Sequence, residues 1–341
     1  MATAALVFLW FGITAYAVLA GADFGAGVWD LFGGGVTRGR ALRRRIAASI
    51  GPVWEANHVW LIFALVVLWT AFPPVFAAIM STLFIPLSLV AFGIIVRGSS
   101  FALRKAAPEL ALKRAFTPGF GLASLLTPFF LGTVAGSIAS GRVPAGIARG
   151  DILRSWLEPT PLLGGALAVS ACAFLAAAYL IVDAHTSGEH NLADAFRRRS
   201  LIAGAVCAVL SIVAAPVLRT DAPVLFAGLS KTGLPLVIVS VILSTASLTS
   251  IWARRFRFIR VTSAGAVVTI LWAWAAAQYP QLLVGSITVH QAAAPDATLT
   301  SLIIGLSIGA VLVLPSLALL FRVTRMPRLT IEPSTTTTRW S

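Results

Sequence analysis

The chain has 341 residues, 58% of them hydrophobic and 11% charged, with 26 Lys and Arg against 12 Asp and Glu for a formal net charge of +14. A soluble domain carries roughly 25% charged residues, so this composition, with a mean hydropathy of +0.91, excludes a single water-soluble core. The basic residues flank apolar blocks and form no stripe on a soluble fold, which excludes nucleic acid as a partner and leaves the lipid bilayer.

A membrane-crossing helix needs about 20 apolar residues. The sequence reads as an all-α integral membrane protein with about nine transmembrane helices, near 5–32, 46–71, 75–97, 117–139, 162–184, 201–217, 233–252, 258–279 and 299–321. The first block lacks a basic leader and runs straight into a Gly-rich stretch, so it is expected to be a span and not a cleaved signal. Phe72-Pro73-Pro74 separates the second and third spans. Cys172 and Cys207 lie inside apolar blocks without metal-ligand spacing and read as small hydrophobes. The Thr-rich end of the chain is expected to be disordered.

The expected organisation is a first four-helix bundle over 1–140, an extracytoplasmic loop over 141–161 and a second four-helix bundle over 162–280. A peripheral ninth helix over 299–321 and a cytoplasmic tail over 322–341 complete it. Of the 26 Lys and Arg, 21 fall in the odd-numbered connections and the tail, with Arg97 counted in the loop after the third span. By the positive-inside bias this places those connections in the cytoplasm, the N-terminus outside and the C-terminus inside.

A parallel pseudo-repeat supports two bundles. An acid (Asp23, Asp183), an Arg triplet (Arg43–Arg45, Arg197–Arg199) and a proline (Pro86, Pro235) recur at offsets of 160, 154 and 149 residues. An even number of helices per unit gives both copies the same orientation. Chance likeness between apolar helices is the competing explanation.

Charges inside hydrocarbon are expensive and usually functional. Asp23 lies well inside the first span, in Gly21-Ala22-Asp23-Phe24-Gly25-Ala26-Gly27. Glu55 and His58 lie roughly ten residues into the second, in Gly51-Pro52-Val53-Trp54-Glu55-Ala56-Asn57-His58-Val59-Trp60. At ~1.5 Å per residue this puts Glu55 roughly 14 Å from Ile46, so both acids fall in the cytoplasmic half. Two carboxyl groups at matched depth on adjacent helices form a candidate proton pathway: Asp23, Glu55 and His58. Trp54, Asn57, Trp60 and Asp183 are candidate supporting residues. The bland reading makes these acids packing partners of nearby cations. His185, Glu189, His190 and Asp194 read as a solvated loop, with a spacing that is poor for zinc.

No catalytic residue, metal site or haem-ligand pair is apparent, because His58 is the only histidine well inside a span. Redox chemistry by this chain alone is not expected.

These residues resemble a known family. The Gly21–Gly27 string, and above all the specific string Ile50 to Ile62 (Pro52, Trp54, Glu55, Asn57, Val59, Trp60, Leu61), is similar to subunit II of cytochrome bd quinol oxidases. Arg97-Gly98 and 120–136 match more loosely, and the C-terminal half matches in layout. The resemblance implies a haem-free subunit II paired with subunit I, which would carry two b-type haems and one haem d. The complex would oxidise quinol and reduce dioxygen to water in the bacterial inner membrane, with protons drawn from the cytoplasm. Positions matching Asp23 and Glu55 would belong to the proton route, although the family often has Asp where Glu55 stands. A structural quinone can be held against subunit II, at a place no motif here marks, and small accessory subunits can join the pair. The rival readings are a proton-coupled secondary transporter and a structural membrane scaffold.

Overall fold

Helix boundaries follow the punctuation of the sequence. The computed structural model describes residues 1–34, 39–50, 54–106 and 110–325; within these, the side chains of 54–55, 105–115 and 320–325 fall outside the description. Most of the tail expected to be disordered, from 326 on, also lies outside the described residues.

α1 (Ala2–Leu31) is followed by α2 (Arg40–Ile50), α3 (Trp54–Ala71), α4 (Pro73–Thr82), α5 (Phe84–Ala106) and α6 (Leu110–Ala139). After a loop come α7 (Pro159–Thr186), α8 (His190–Asp221), α9 (Pro223–Leu229), α10 (Leu234–Trp252) and α11 (Ile259–Gln278). An antiparallel hairpin, Gln281–Leu283 with Ile287–Thr288, and one turn of helix, α12 (Val289–Ala292), lead to α13 (Asp296–Arg325). Among the described residues, eight helices are long and apolar enough to cross a membrane, and nine when α3 and α4, bent by 119°, count as one. The chain is an all-α integral membrane protein.

Three boundaries near the site differ from expectation; the third span starts at Phe84 and not at 75, because residues 75–82 fall in α4. The second span does not begin at 46. Leu42, Ile46 and Ile50, at four-residue spacing, are buried while Arg40 and Arg44 are exposed. That one-sided pattern makes α2 a separate amphipathic helix, so the crossing begins at Trp54 and Glu55 is the second residue of α3. The third span does not end at 97. α5 continues to Ala106, so Arg97 is a helical residue and not a loop charge.

The turns that open α4 and α9 share one geometry. Phe72 before Pro73 has φ −136°, ψ 60°, and Ala222 before Pro223 has φ −139°, ψ 60°. Proline suits the first helical position because its missing N–H has no acceptor there. In both places a short helix then joins two long ones.

Residues 1–303 form one compact unit that contains both four-helix sets. α1 packs on α3, α6 and α7, and α7 packs on α1, α6, α8 and α11. Burial reflects this: 61% of the apolar window of α7 is buried, against 11% for α8. Small residues allow the close α1–α7 crossing. A Cβ on Gly25 would stand 1.8 Å from the backbone oxygen of Cys172. Residues 304–341 form a second unit, whose described residues to 319 continue α13 and are half-buried or exposed.

Candidate functional site

Asp23 sits on α1 about 12 Å, along the helix axis, from the Leu31 end. It is 5% exposed. Asn57 Nδ2, from the first turns of α3, donates to Asp23 Oδ2 at 2.5 Å and to the Leu19 carbonyl at 3.4 Å. A carboxyl buried in a helix bundle must be hydrogen-bonded or neutralised, and Asn57 meets part of that need. The same bond sets Asn57 of α3 against Asp23 of α1, with Glu55 two residues before it on α3. The side chains of Glu55 and Trp54, a pathway candidate and a supporting candidate, lie outside the described residues.

His58 is half-buried. Its ring lies 6.0 Å from that of Tyr16 and 5.8 Å from that of Phe24, and its Nδ1 is buried. Trp60 is buried edge-on to Phe11 and Phe63. It packs α3 on α1 through apolar contact.

Sequence reasoning missed Arg97. It is 2% exposed, with its guanidinium carbon 4.9 Å above the Phe24 ring and 5.2 Å above the Phe120 ring. Its Nε donates to Ser124 Oγ at 3.1 Å, and that hydroxyl donates to the Phe120 carbonyl at 2.7 Å. The approach of α6 that delivers Ser124 depends on Gly27, where a Cβ would stand 2.1 Å from Ser124 Oγ. Arg97 is close enough to Asp23 to act on its charge, without a direct ion pair.

Asp30 was also missed. It is fully buried between two arginines, Arg43 at 2.8 Å and Arg104. The Arg104 guanidinium lies 4.7 Å above the Phe120 ring, the same ring that Arg97 touches. Arg97, Phe120, Arg104 and Asp30 therefore form a contact series from the Phe24 ring, beside Asp23, to the Leu31 end of α1. The available signal was that apolar residues continue after Arg97, through Phe101-Ala102-Leu103, which puts that charge inside a span.

Asp183 pairs with Arg260 between α7 and α11, with side chains 35% and 30% exposed. It is not part of the Asp23 series. The rings of His185, at the end of α7, and His190, at the start of α8, lie edge-on at 5.5 Å and are exposed. Among the described residues, no group of three or more His, Cys, Asp or Glu is placed to hold a metal ion.

Tyr16 and Phe24 flank the His58 ring, while His185, His190 and His290 are exposed. What the Asp23 series offers is a set of protonatable and hydrogen-bonding groups enclosed by apolar helices.

Comparison with known proteins gives a consistent result. The family model for "Cytochrome bd terminal oxidase subunit II" matches residues 1–324. The chain is 25% identical over 240 residues to cytochrome bd ubiquinol oxidase subunit 2 of Bacillus subtilis (strain 168), covering 69% of each chain. It is 31% identical over 185 residues to cytochrome bd-I ubiquinol oxidase subunit 2 of Escherichia coli (strain K12), covering 52% of this chain. That alignment spans 47%, about half, of the Escherichia coli protein. The fold is shared with a chain of the bd oxidase from Geobacillus thermodenitrificans, with a TM-score of 0.75 at 22% identity over 94% of this chain and 98% of that one.

Proposed function

The chain belongs to the cytochrome bd terminal oxidase subunit II family, and from that premise we propose that it works as the haem-free half of a quinol:oxygen oxidoreductase. Its partner is a subunit I that holds the haems and oxidises quinol. The haems reduce dioxygen to water when bound in that partner. This chain scaffolds the partner in the bacterial cell membrane and takes up protons for the reaction.

The arginine-rich end of α1, where Arg43 and Arg104 meet Asp30, faces the cytoplasm in this reading, and the N-terminus faces outward. Of the 21 basic residues counted on that side, 20 remain once Arg97 is placed inside α5, and they support the orientation. Protons enter near that end and reach Asp23 on α1 and Glu55 on α3, two residues from the Asn57 that holds Asp23.

The observation that carries the proposal is the Asp23 carboxyl, 5% exposed and held by Asn57. A titratable group enclosed at such depth is costly to keep unless proton transfer uses it. The test is quinol-driven oxygen uptake by the membrane complex with Asp23→Asn or Glu55→Gln. A positioned proton carrier contributes about 100-fold or more, so uptake falls by that order while haem content stays normal. Normal uptake in both variants refutes the proton route and leaves the assembly role standing.

A further inference from the structure

Three buried polar atoms border the Asp23 site without a hydrogen-bond partner among the described residues: Tyr16 Oη, His58 Nδ1 and Arg97 Nη2. Tyr16 is 8% exposed and Arg97 2%. All three side chains gather around Phe24, the residue next to Asp23. The ring of Phe24 is 6.3 Å from Tyr16, 5.8 Å from His58 and 4.9 Å from the Arg97 guanidinium carbon. The Tyr16 and His58 rings are themselves 6.0 Å apart. Arg97 also lies within electrostatic reach of Tyr16, Asp23 and His58.

Buried polar atoms in native proteins are almost always satisfied, by protein or by ordered water. Three orphans in one place share a cause. None of the three atoms bonds another, whereas two hydrogen bonds through one oxygen span roughly 5.5 Å and join groups that do not touch. The chemistry of the set also suits water. Arg97 Nη2 only donates, a tyrosine hydroxyl donates and accepts, and a histidine nitrogen does either according to tautomer. An internal water requires two to four such partners.

We propose that Tyr16, His58 and Arg97 enclose ordered water beside Asp23, and that Tyr16 is a positioning residue for proton movement through that water. The second half rests on the proton-uptake reading of Asp23. The Asp23 O–H bond breaks as an O–H bond to the water forms, and the water releases a different proton to the next acceptor. No electrons move, and no net charge stays on the water. The fixed positive charge of Arg97 disfavours a resident hydronium ion there, so a proton passes on and does not dwell. The Tyr16 hydroxyl orients the water so that one lone pair faces the carboxyl.

Tyr16→Phe removes only the hydroxyl. In the complete haem-bearing complex, kcat for oxygen uptake falls about tenfold, while the KM for quinol stays unchanged. With kcat normalised to the haem content of the complex, loss of assembled enzyme cannot mimic this fall. A high-resolution map of the unmodified complex shows density within hydrogen-bond reach of Tyr16 Oη, His58 Nδ1 and Arg97 Nη2, and that density is lost in Tyr16→Phe. An unchanged kcat in Tyr16→Phe beside a slow Asp23→Asn overturns the positioning role and leaves the uptake route intact. A normal Asp23→Asn overturns the relay through Asp23, and a normal Glu55→Gln beside it overturns the uptake route itself. If Tyr16→Phe does not assemble, the map of the unmodified complex decides, and a dry cluster overturns the proposal.

Discussion

Asn57 on α3 donates directly to the Asp23 carboxylate on α1, so one buried side-chain bond joins the two strings of sequence that most resemble the family. Leaving a buried carboxyl without its donor costs about 1–3 kcal/mol. Asn57→Leu therefore lowers the thermal stability of the purified complex and slows oxygen uptake, because the level of α3 against α1 is no longer fixed. Asn57→Asp places two acids in contact and has the larger effect on uptake. Melting curves and oxygen-electrode rates of the two variants check this, and a fully active Asn57→Leu refutes it.

The α1–α7 contact gives a second test, between two glycines of one motif. A Cβ at Gly25 would stand 1.8 Å from the Cys172 backbone oxygen, whereas one at Gly21 would meet only the Cys172 sulfur at 3.4 Å. Backbone cannot yield as a side chain does. Gly25→Ala forces the central helices apart and abolishes assembly, while Gly21→Ala gives near-normal yield. Detergent gel filtration of both variants measures the difference, and equal yields would sink the close-packing argument.

Asp30 supplies a third prediction. Its carboxylate has no solvent exposure and is shared by Arg43 and Arg104. Removing one partner of a buried ion cluster costs about 3–5 kcal/mol, because it takes away the negative charge that compensates the others. Asp30→Asn thus destabilises the complex by that order, more than Asn57→Leu does. A melting shift smaller than that of Asn57→Leu contradicts the ranking.

These sites differ in how far they were legible beforehand. The spans, the Phe72-Pro73 break and the intramembrane position of Asp23 follow from apolar block length and from proline, which act locally. Asn57 was recognisable as part of a motif, but its bond to Asp23 was not, since helix rotation is set by tertiary packing. Arg97 and Arg104 were counted as loop charges because a basic residue near a span end satisfies the topology rule whichever way it points. The side chain of Arg97 turns inward to Phe24, Phe120 and Ser124, and nothing local announces that. The separate helix α2 was hidden because its apolar face runs on in sequence towards the true span, and its Arg40 and Arg44 face reads equally well as a flank.

The final prediction concerns pH at the arginine-rich end. Arg45 on α2 donates to Glu189, which precedes α8, at 2.7 Å. That hydrogen bond, with the charges of Arg45 and Arg44, holds the Glu189 carboxyl below its usual value. A carboxyl whose folded pKa is depressed stabilises the fold above its unfolded pKa, near 4.3, and loses that contribution as pH falls through the folded value. At neutral pH, Glu189→Gln therefore melts at a slightly lower temperature than the unmodified complex, by an amount typical of a partly exposed pair and reduced by salt. Once the pH is below the depressed pKa of Glu189 the two curves converge, since the glutamate is then protonated and resembles glutamine. Melting temperatures of both proteins across pH 3.5 to 8, at low and high salt, provide the check. A difference that persists unchanged at the acid end means that the Arg45–Glu189 pair does not fasten α2 to the α7–α8 connection.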